Sequence, residues 1–183
     1  MDTKDKNDFY KELRMPVNFL FSFVFGFGLT QLQDIFSAEF VLLHFVAICV
    51  AYVTILLSWW GYNRAVFFKP YYNNIPNLVV DCLLLFSYWA LLNFYKSLDI
   101  TLWLYLFIYV MYTIWEIIGL IHKSSKKRSL YINILFSLLY LALLLLNMFT
   151  FNSESGAWIS YSIILILQIF YRILLTNHSK TLK

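Results

Sequence analysis

The run VLLHFVAICVAYVTILLSWWGY, residues 41–62, decides the fold of this chain. It contains no Asp, Glu, Lys or Arg, and an α-helix needs about 20 apolar residues of this kind to cross the hydrocarbon of a bilayer. The whole chain has the same character, because 61% of its 183 residues are hydrophobic and 13% are charged. Soluble domains carry about 25% charged residues. We therefore expect an integral membrane protein.

Six apolar stretches predict an all-α protein with six transmembrane helices. The connections between them are short, so neighbouring helices are expected to be antiparallel, within one transmembrane domain over residues 16–175. Residues 1–15 and 176–183 are then charged tails, and the hydrated start of the chain does not have the pattern of a signal peptide. The stretches are 16–36, 39–62, 76–95, 99–121, 129–151 and 156–175.

The basic residues predict the orientation of the six helices. With six crossings, Lys96 alone falls on one side of the membrane, and all other Lys and Arg residues fall on the opposite side. Short loops rich in Lys and Arg stay in the cytoplasm, so both termini are predicted to be cytoplasmic. The richness in Asn, Lys, Ile, Tyr and Phe is typical of AT-rich bacterial genomes, and the expected location is the bacterial inner (plasma) membrane.

Helix 1 carries a continuous stripe of small and polar residues at helical spacing. Polar groups facing lipid are costly, so this stripe is expected to face protein or water. Two interpretations stay open, namely a packing face between helices and the lining of a water-filled pore. The residues of the stripe are Asn18, Ser22, Gly26, Thr30, Gln33 and Ser37. Helix 2 has a similar stripe of mostly Ala, Ser and Gly, which favours helix packing. Its residues are His44, Ala47, Ala51, Thr54, Ser58, Gly61 and Ala65.

Four ionisable residues are predicted to share one level of the inner leaflet. Asp81 and Glu116 lie roughly 7–8 Å from the ends of helices 3 and 4, taking about 1.5 Å per residue. Arg64 and Arg172 end helices 2 and 6 at a similar level. The favoured interpretation is a structural charge belt, in which either arginine pairs with either acid. The alternative is a proton-coupled or gating acid, for which Glu116 is the better candidate.

No pattern of residues indicates catalysis, a metal site or a cofactor. The chain has no HExxH sequence, no Gly-x-Ser-x-Gly elbow and no phosphate-binding glycine loop. Its two cysteines, Cys49 and Cys82, both lie inside apolar stretches, which argues against a disulfide. We expect a protein that is not an enzyme and does not bind nucleic acid. Its expected partners are the lipid bilayer, further copies of itself and a cytoplasmic protein at the basic inner face.

Two segments resemble the lysosomal potassium channel family and its small bacterial relatives. The family pattern in helix 1 is roughly F-S-D-x-V-x-A-I-A-x-T-L-L, and Leu20, Phe21 and Ser22 stand here in place of F-S-D. The segment SWWGYNRAVFF, residues 58–68, resembles the family pattern W-x-x-H-H-R-x-F, with Asn63 and Arg64 at the second His and the Arg. Helix 1 matches the V, A, I, A, T and second L positions with Val24, Gly26, Phe27, Gly28, Thr30 and Leu32.

The resemblance implies an oligomeric, potassium-permeable channel whose pore is lined by helix 1. In such channels apolar side chains of that helix form the gate, and Phe23, Phe27 or Leu29 is the expected constriction. Asp34 is expected at the outer mouth, and the assembly is expected to be a tetramer or a dimer. The predicted pore lining is Ser22, Gly26, Phe27, Thr30 and Gln33.

Two other functions stay open at this point. One is a non-conducting membrane subunit, such as a sensor or anchor of a bacterial multi-protein system, for example an antiviral one. The other is a small transporter that uses Glu116 or Asp81. An inverted internal repeat would favour the transporter. The chain shows only a faint internal similarity, NFLFS at 18–22 and NILFS at 133–137, and both copies enter the membrane from the same side.

Overall fold

The computed structural model describes residues 14–37, 41–68, 75–121, 127–150 and 154–180, and in these residues the chain forms six α-helices and no strand. All six are long and apolar enough to cross a membrane. The predicted class, an all-α multi-pass membrane protein, is therefore confirmed. The helices are α1 Arg14–Ser37, α2 Leu42–Phe68, α3 Ile75–Asn93, α4 Leu98–Ile121, α5 Lys127–Thr150 and α6 Glu154–Lys180.

The observed bounds lie close to the predicted ones except at the ends of α2 and α6. Helix α2 continues to Phe68 and α6 continues to Lys180, whereas the apolar stretches end at residues 62 and 175. The segments NRAVFF and TNHSK contain neither Gly nor Pro, so nothing in them breaks a helix. Hydropathy therefore predicts where the apolar part ends and not where the helix ends.

A tight turn connects α3 to α4. The amide of Phe94 donates to the Ala90 carbonyl at 2.9 Å, and the amide of Ser97 donates to the Phe94 carbonyl at 2.9 Å. The hydroxyl of Thr101, in the first turn of α4, also donates to the Phe94 carbonyl at 3.3 Å. These bonds satisfy polar groups that the end of α3 would otherwise leave open, and they hold α3 and α4 as neighbours.

Five of the helices form a closed ring. From α2 to α6 each helix packs against the next one along the chain, and α6 packs back against α2. Helix α1 lies outside this ring and packs against α2 and α3. The first helix is therefore peripheral, and a large part of its surface is not covered by the rest of the chain.

Aromatic side chains fill the centre of the ring. Tyr109 and Tyr140 stack with ring centroids 4.6 Å apart, and Tyr105 stacks on Tyr140 at 5.6 Å. Phe136 meets Tyr171 edge to face at 5.0 Å. All five side chains are buried. Because this part of the ring is closely packed, a water-filled path along α1 would have to lie between copies of the protein.

Candidate functional site

Helix α1 has one buried face and one uncovered face. Val17, Phe21, Val24 and Ile35 are buried against the ring. Successive residues of an α-helix are rotated by about 100°, so Gly26 lies nearly opposite Val24. A Cβ atom added at Gly26 would meet nothing within 4 Å. The uncovered face of α1 is therefore centred close to Gly26.

Four residues of the predicted stripe lie on this uncovered face. Ser22, Gly26, Thr30 and Gln33 are all exposed in the protomer. Packing inside one copy of the chain therefore does not account for the stripe. Its surroundings have to come from lipid, water or another protein, and lipid is the least favourable of the three for the Gln33 amide.

The two hydroxyls of the stripe are bonded within α1 itself. Ser22 Oγ donates to the Asn18 carbonyl at 3.0 Å, and Thr30 Oγ1 donates to the Phe27 carbonyl at 2.6 Å. Bonds of this kind satisfy the hydroxyl hydrogen inside a membrane helix. Each oxygen still has acceptor capacity for a partner outside the helix.

The three residues predicted as a constriction lie at different angles around α1. Phe23 is 60% exposed and Leu29 is 62% exposed, one on each flank of the stripe. Phe27 is half-buried and packs against Trp89 of α3, with ring centroids 6.0 Å apart. Phe23 and Leu29 are thus better placed than Phe27 to face a neighbouring copy. Asp34 belongs to α1, but its side chain lies outside the described set, so its place at the outer mouth stays a prediction.

Gly28, two residues after Gly26, has a different environment. Gly28 is buried, and a Cβ atom there would come within 3.0 Å of Tyr52 Cε2 and closer to the Tyr52 hydroxyl. That hydroxyl donates to the Phe25 carbonyl at 3.0 Å. Gly28 therefore allows α2 to approach α1. The sequence around the two glycines did not show that Gly26 and Gly28 have different roles.

A cavity of about 150 Å³ lies at the end of the bundle that holds the start of α1 and the end of α6. This is the end predicted to be cytoplasmic, and all six helices contribute to its walls. The residues that line it are Phe21, Ser58, Gly61, Tyr62, Asp81, Leu84, Tyr88, Tyr112, Trp115, Glu116, Asn133, Tyr171, Arg172 and Leu175.

Three residues of the predicted charge belt share this cavity. Asp81, Glu116 and Arg172 all line it, from α3, α4 and α6 respectively. The fourth, Arg64, belongs to α2, but its side chain lies outside the described set. The common membrane level of these groups stays a prediction. The sequence could not predict that three of them surround a common space.

Asp81 is the most deeply buried of the three, with 8% of its surface exposed. The indole N–H of Trp115 approaches its carboxyl. Among the residues that the structure describes, no ion pair of a Lys or Arg with Asp81 is seen. The pairing of Glu116 with either arginine stays a prediction.

The Arg172 side chain lies against α2 and beside its own neighbour in sequence. Its Cζ atom is 5.9 Å from the centre of the Tyr171 ring. A Cβ atom at Gly61 would come within 2.9 Å of Nη2 and 3.0 Å of Cζ. Gly61, the glycine of the helix 2 stripe, thus leaves space for the guanidinium at this level.

A hydrogen-bond network forms the wall of the cavity towards the ring centre. The Tyr112 hydroxyl bonds to the Tyr88 hydroxyl at 2.7 Å and also to Ser58 Oγ. Asn133 Nδ2 donates to the Tyr112 carbonyl at 3.1 Å, and the Tyr171 hydroxyl donates to Asn133 Oδ1 at 2.7 Å. Residues of five helices are therefore joined through Tyr112 and Asn133.

The network has a second part closer to the middle of the membrane. Gln168 Nε2 donates to Thr54 Oγ1, which also bonds to the Tyr105 hydroxyl at 3.1 Å. The sequence analysis did not single out Gln168. Its signal was a lone amide inside the apolar run IILILQIF, residues 163–170, since an amide in such a run needs a polar partner within the bundle.

Comparison with known proteins does not identify this site. The chain matches no protein-family model, no curated protein and no solved structure. The resemblance to the potassium channel family therefore stays an interpretation of the two short segments that suggested it.

Proposed function

We propose that this protein is a homo-oligomeric cation channel of the bacterial inner membrane, with a pore lined by α1. One observation supports this proposal above all others. Ser22, Gly26, Thr30 and Gln33 lie together on a face of α1 that the protomer leaves uncovered. Several copies arranged around an axis would remove this face from lipid and place hydroxyl and amide groups along a common path.

The character of this path suits a cation channel with an apolar gate. The helix ends and connections predicted to be outside contain Asp34, Glu39, Asp99 and Glu154 against Lys96 alone. An excess of acids raises the local concentration of cations. The chain has no TVGYG-like filter. A ring of Phe23 or Leu29 side chains would close such a path by excluding water.

The direct test is potassium flux into liposomes that contain the purified protein. Gly26→Leu adds bulk to the centre of the stripe and is expected to reduce the flux at least tenfold. Phe23→Asn makes the proposed constriction polar and is expected to increase it several-fold. Ala142→Leu and Phe107→Asn are matched controls, because both positions are exposed on other helices. Both controls should conduct like the unchanged protein.

A second experiment tests whether α1 faces another copy. In a background with Cys49→Ser and Cys82→Ser, Gly26→Cys should form disulfide-linked dimers in membranes. Ile166→Cys, at an exposed apolar position of α6, should not. A cross-link without potassium flux would favour the alternative of a non-conducting membrane subunit. The absence of both would overturn the oligomer as well as the channel.

A further inference from the structure

The inner cavity is a site inside each protomer, separate from the uncovered face of α1. All six helices line it, so it does not depend on assembly. Its volume of about 150 Å³ equals that of engineered protein cavities that hold a benzene ring. The space therefore suits a compact organic molecule.

The position of Asp81 indicates the charge of that molecule. The carboxyl is more than nine-tenths buried and lines the cavity, and no cation of the described part of the chain is paired with it. Burying an ionised carboxylate without a counter-charge costs several kcal/mol. Without a counter-charge, such a group stays protonated, and a positively charged group in the cavity would stabilise its ionised form.

The walls of the cavity indicate the chemistry of the cation. Tyr62, Tyr88, Tyr112 and Trp115 are among the residues that line the space. Aromatic rings attract ammonium groups through their electron-rich faces, and cages of such rings recognise organic ammonium ions. Divalent metal ions prefer several oxygen ligands. No group of three His, Cys, Asp or Glu residues that could hold a metal occurs in the described residues.

The described residues of the lining carry more acidic groups than basic ones. Asp81 and Glu116 contribute two carboxyls and Arg172 contributes one guanidinium. Arg172 lies against Gly61 of α2.

We propose that this cavity binds a small organic monocation, with its ammonium group at Asp81 and its apolar body against the aromatic wall. The inference goes beyond channel activity, because it concerns a site within one protomer. It holds whether or not the assembly conducts ions.

The test uses the full-length protein in detergent and three probes of nearly equal size: benzylammonium, benzyl alcohol and benzoate. Benzylammonium is expected to raise the unfolding temperature in a concentration-dependent manner, as a ligand that binds only the folded state does. It is also expected to change the tryptophan fluorescence, because Trp115 lines the cavity. Benzyl alcohol and benzoate should produce neither effect at the same concentration.

Two variants locate the binding site. Asp81→Asn should weaken benzylammonium binding at least tenfold, and Asp99→Asn, a carboxyl at the other end of α4, should leave it unchanged. If Asp81→Asn does not fold, Leu84→Phe decides, because it fills part of the cavity without changing its charge and should abolish binding. Equal binding of benzylammonium and benzyl alcohol, or unchanged binding in Leu84→Phe, would overturn the proposal. Because binding is measured in detergent, its failure is distinct from a failure of potassium flux.

Discussion

The hydroxyl end of Tyr52 occupies the space that a side chain at Gly28 would need. A Cβ atom at Gly28 would come within 3.0 Å of Tyr52 Cε2, whereas one at Gly26 would meet nothing within 4 Å. Two glycines separated by one residue therefore face in different directions. Gly28 allows α1 and α2 to pack closely, and Gly26 keeps the uncovered face of α1 free of bulk.

This difference predicts opposite effects of the same small substitution. Gly28→Ala should lower the free energy of unfolding by about 1–3 kcal/mol, because it overpacks the contact with Tyr52. Gly26→Ala should not lower it, since alanine favours the helix over glycine by up to about 1 kcal/mol. Thermal unfolding in detergent, followed by circular dichroism, measures both. An equal loss of stability in the two variants would contradict the assignment of the two faces.

The network at Tyr112 predicts that loss of one hydroxyl weakens the bundle. In Tyr112→Phe, Tyr88 and Ser58 each lose a hydrogen-bond partner, and a buried polar group left without a partner costs about 1–3 kcal/mol. Tyr131→Phe is the matched control, because Tyr131 is 65% exposed. The first variant should unfold at a lower temperature than the second. Identical unfolding temperatures would mean that the Tyr112 hydroxyl contributes nothing to stability.

The hydrogen bonds of Asn133, in α5, predict a similar loss of stability when this residue is replaced. Asn133→Leu removes its bonds to the Tyr112 carbonyl and from the Tyr171 hydroxyl, both in the interior of the bundle. Asn147→Leu removes a bond to the exposed Asp99. Because water can replace that partner, the loss of stability should be larger for Asn133→Leu. The denaturant midpoint of each variant checks this order, and the reverse order would argue against the interior network.

The distribution of basic residues predicts the orientation of the protein. Epitope tags at either terminus should be protected from protease added outside intact spheroplasts, because the Lys and Arg residues other than Lys96 share that side. A tag placed within NSESG, residues 152–156, should be cleaved. Cleavage of the C-terminal tag in sealed spheroplasts would contradict a six-crossing protein with both ends inside.

The sequence predicted the number and positions of the helices because the bilayer sets the length of an apolar helix. It also indicated that the helix 2 stripe is a packing face, and Ala47, Ala51, Thr54 and Ser58 are indeed buried. It did not predict that α6 closes the ring against α2, with α1 outside. That order depends on which faces meet in three dimensions, and hydropathy along the chain carries no such information.

For the same reason, the sequence could not predict the contacts of the ionisable residues at the inner cavity. Helical rise predicts that Asp81 and Arg172 lie at one depth, and both line the cavity. Depth does not determine pairing. The direction of each side chain depends on the rotation of its helix and on local space, such as the space that Gly61 leaves for the Arg172 guanidinium.

The bond between Gln168 and Thr54 joins positions 114 residues apart in the chain. A ribosome produces α2 long before α6, so the growing protein passes through a stage in which Thr54 has lost water and does not yet have the Gln168 amide. Contacts between such distant segments form late, because a long loop must close first. The ring can therefore close only after α6 has been synthesised. A chain shortened before α6 would lack the Gln168 amide, and Thr54 would keep only its bonds to the Val50 carbonyl and the Tyr105 hydroxyl.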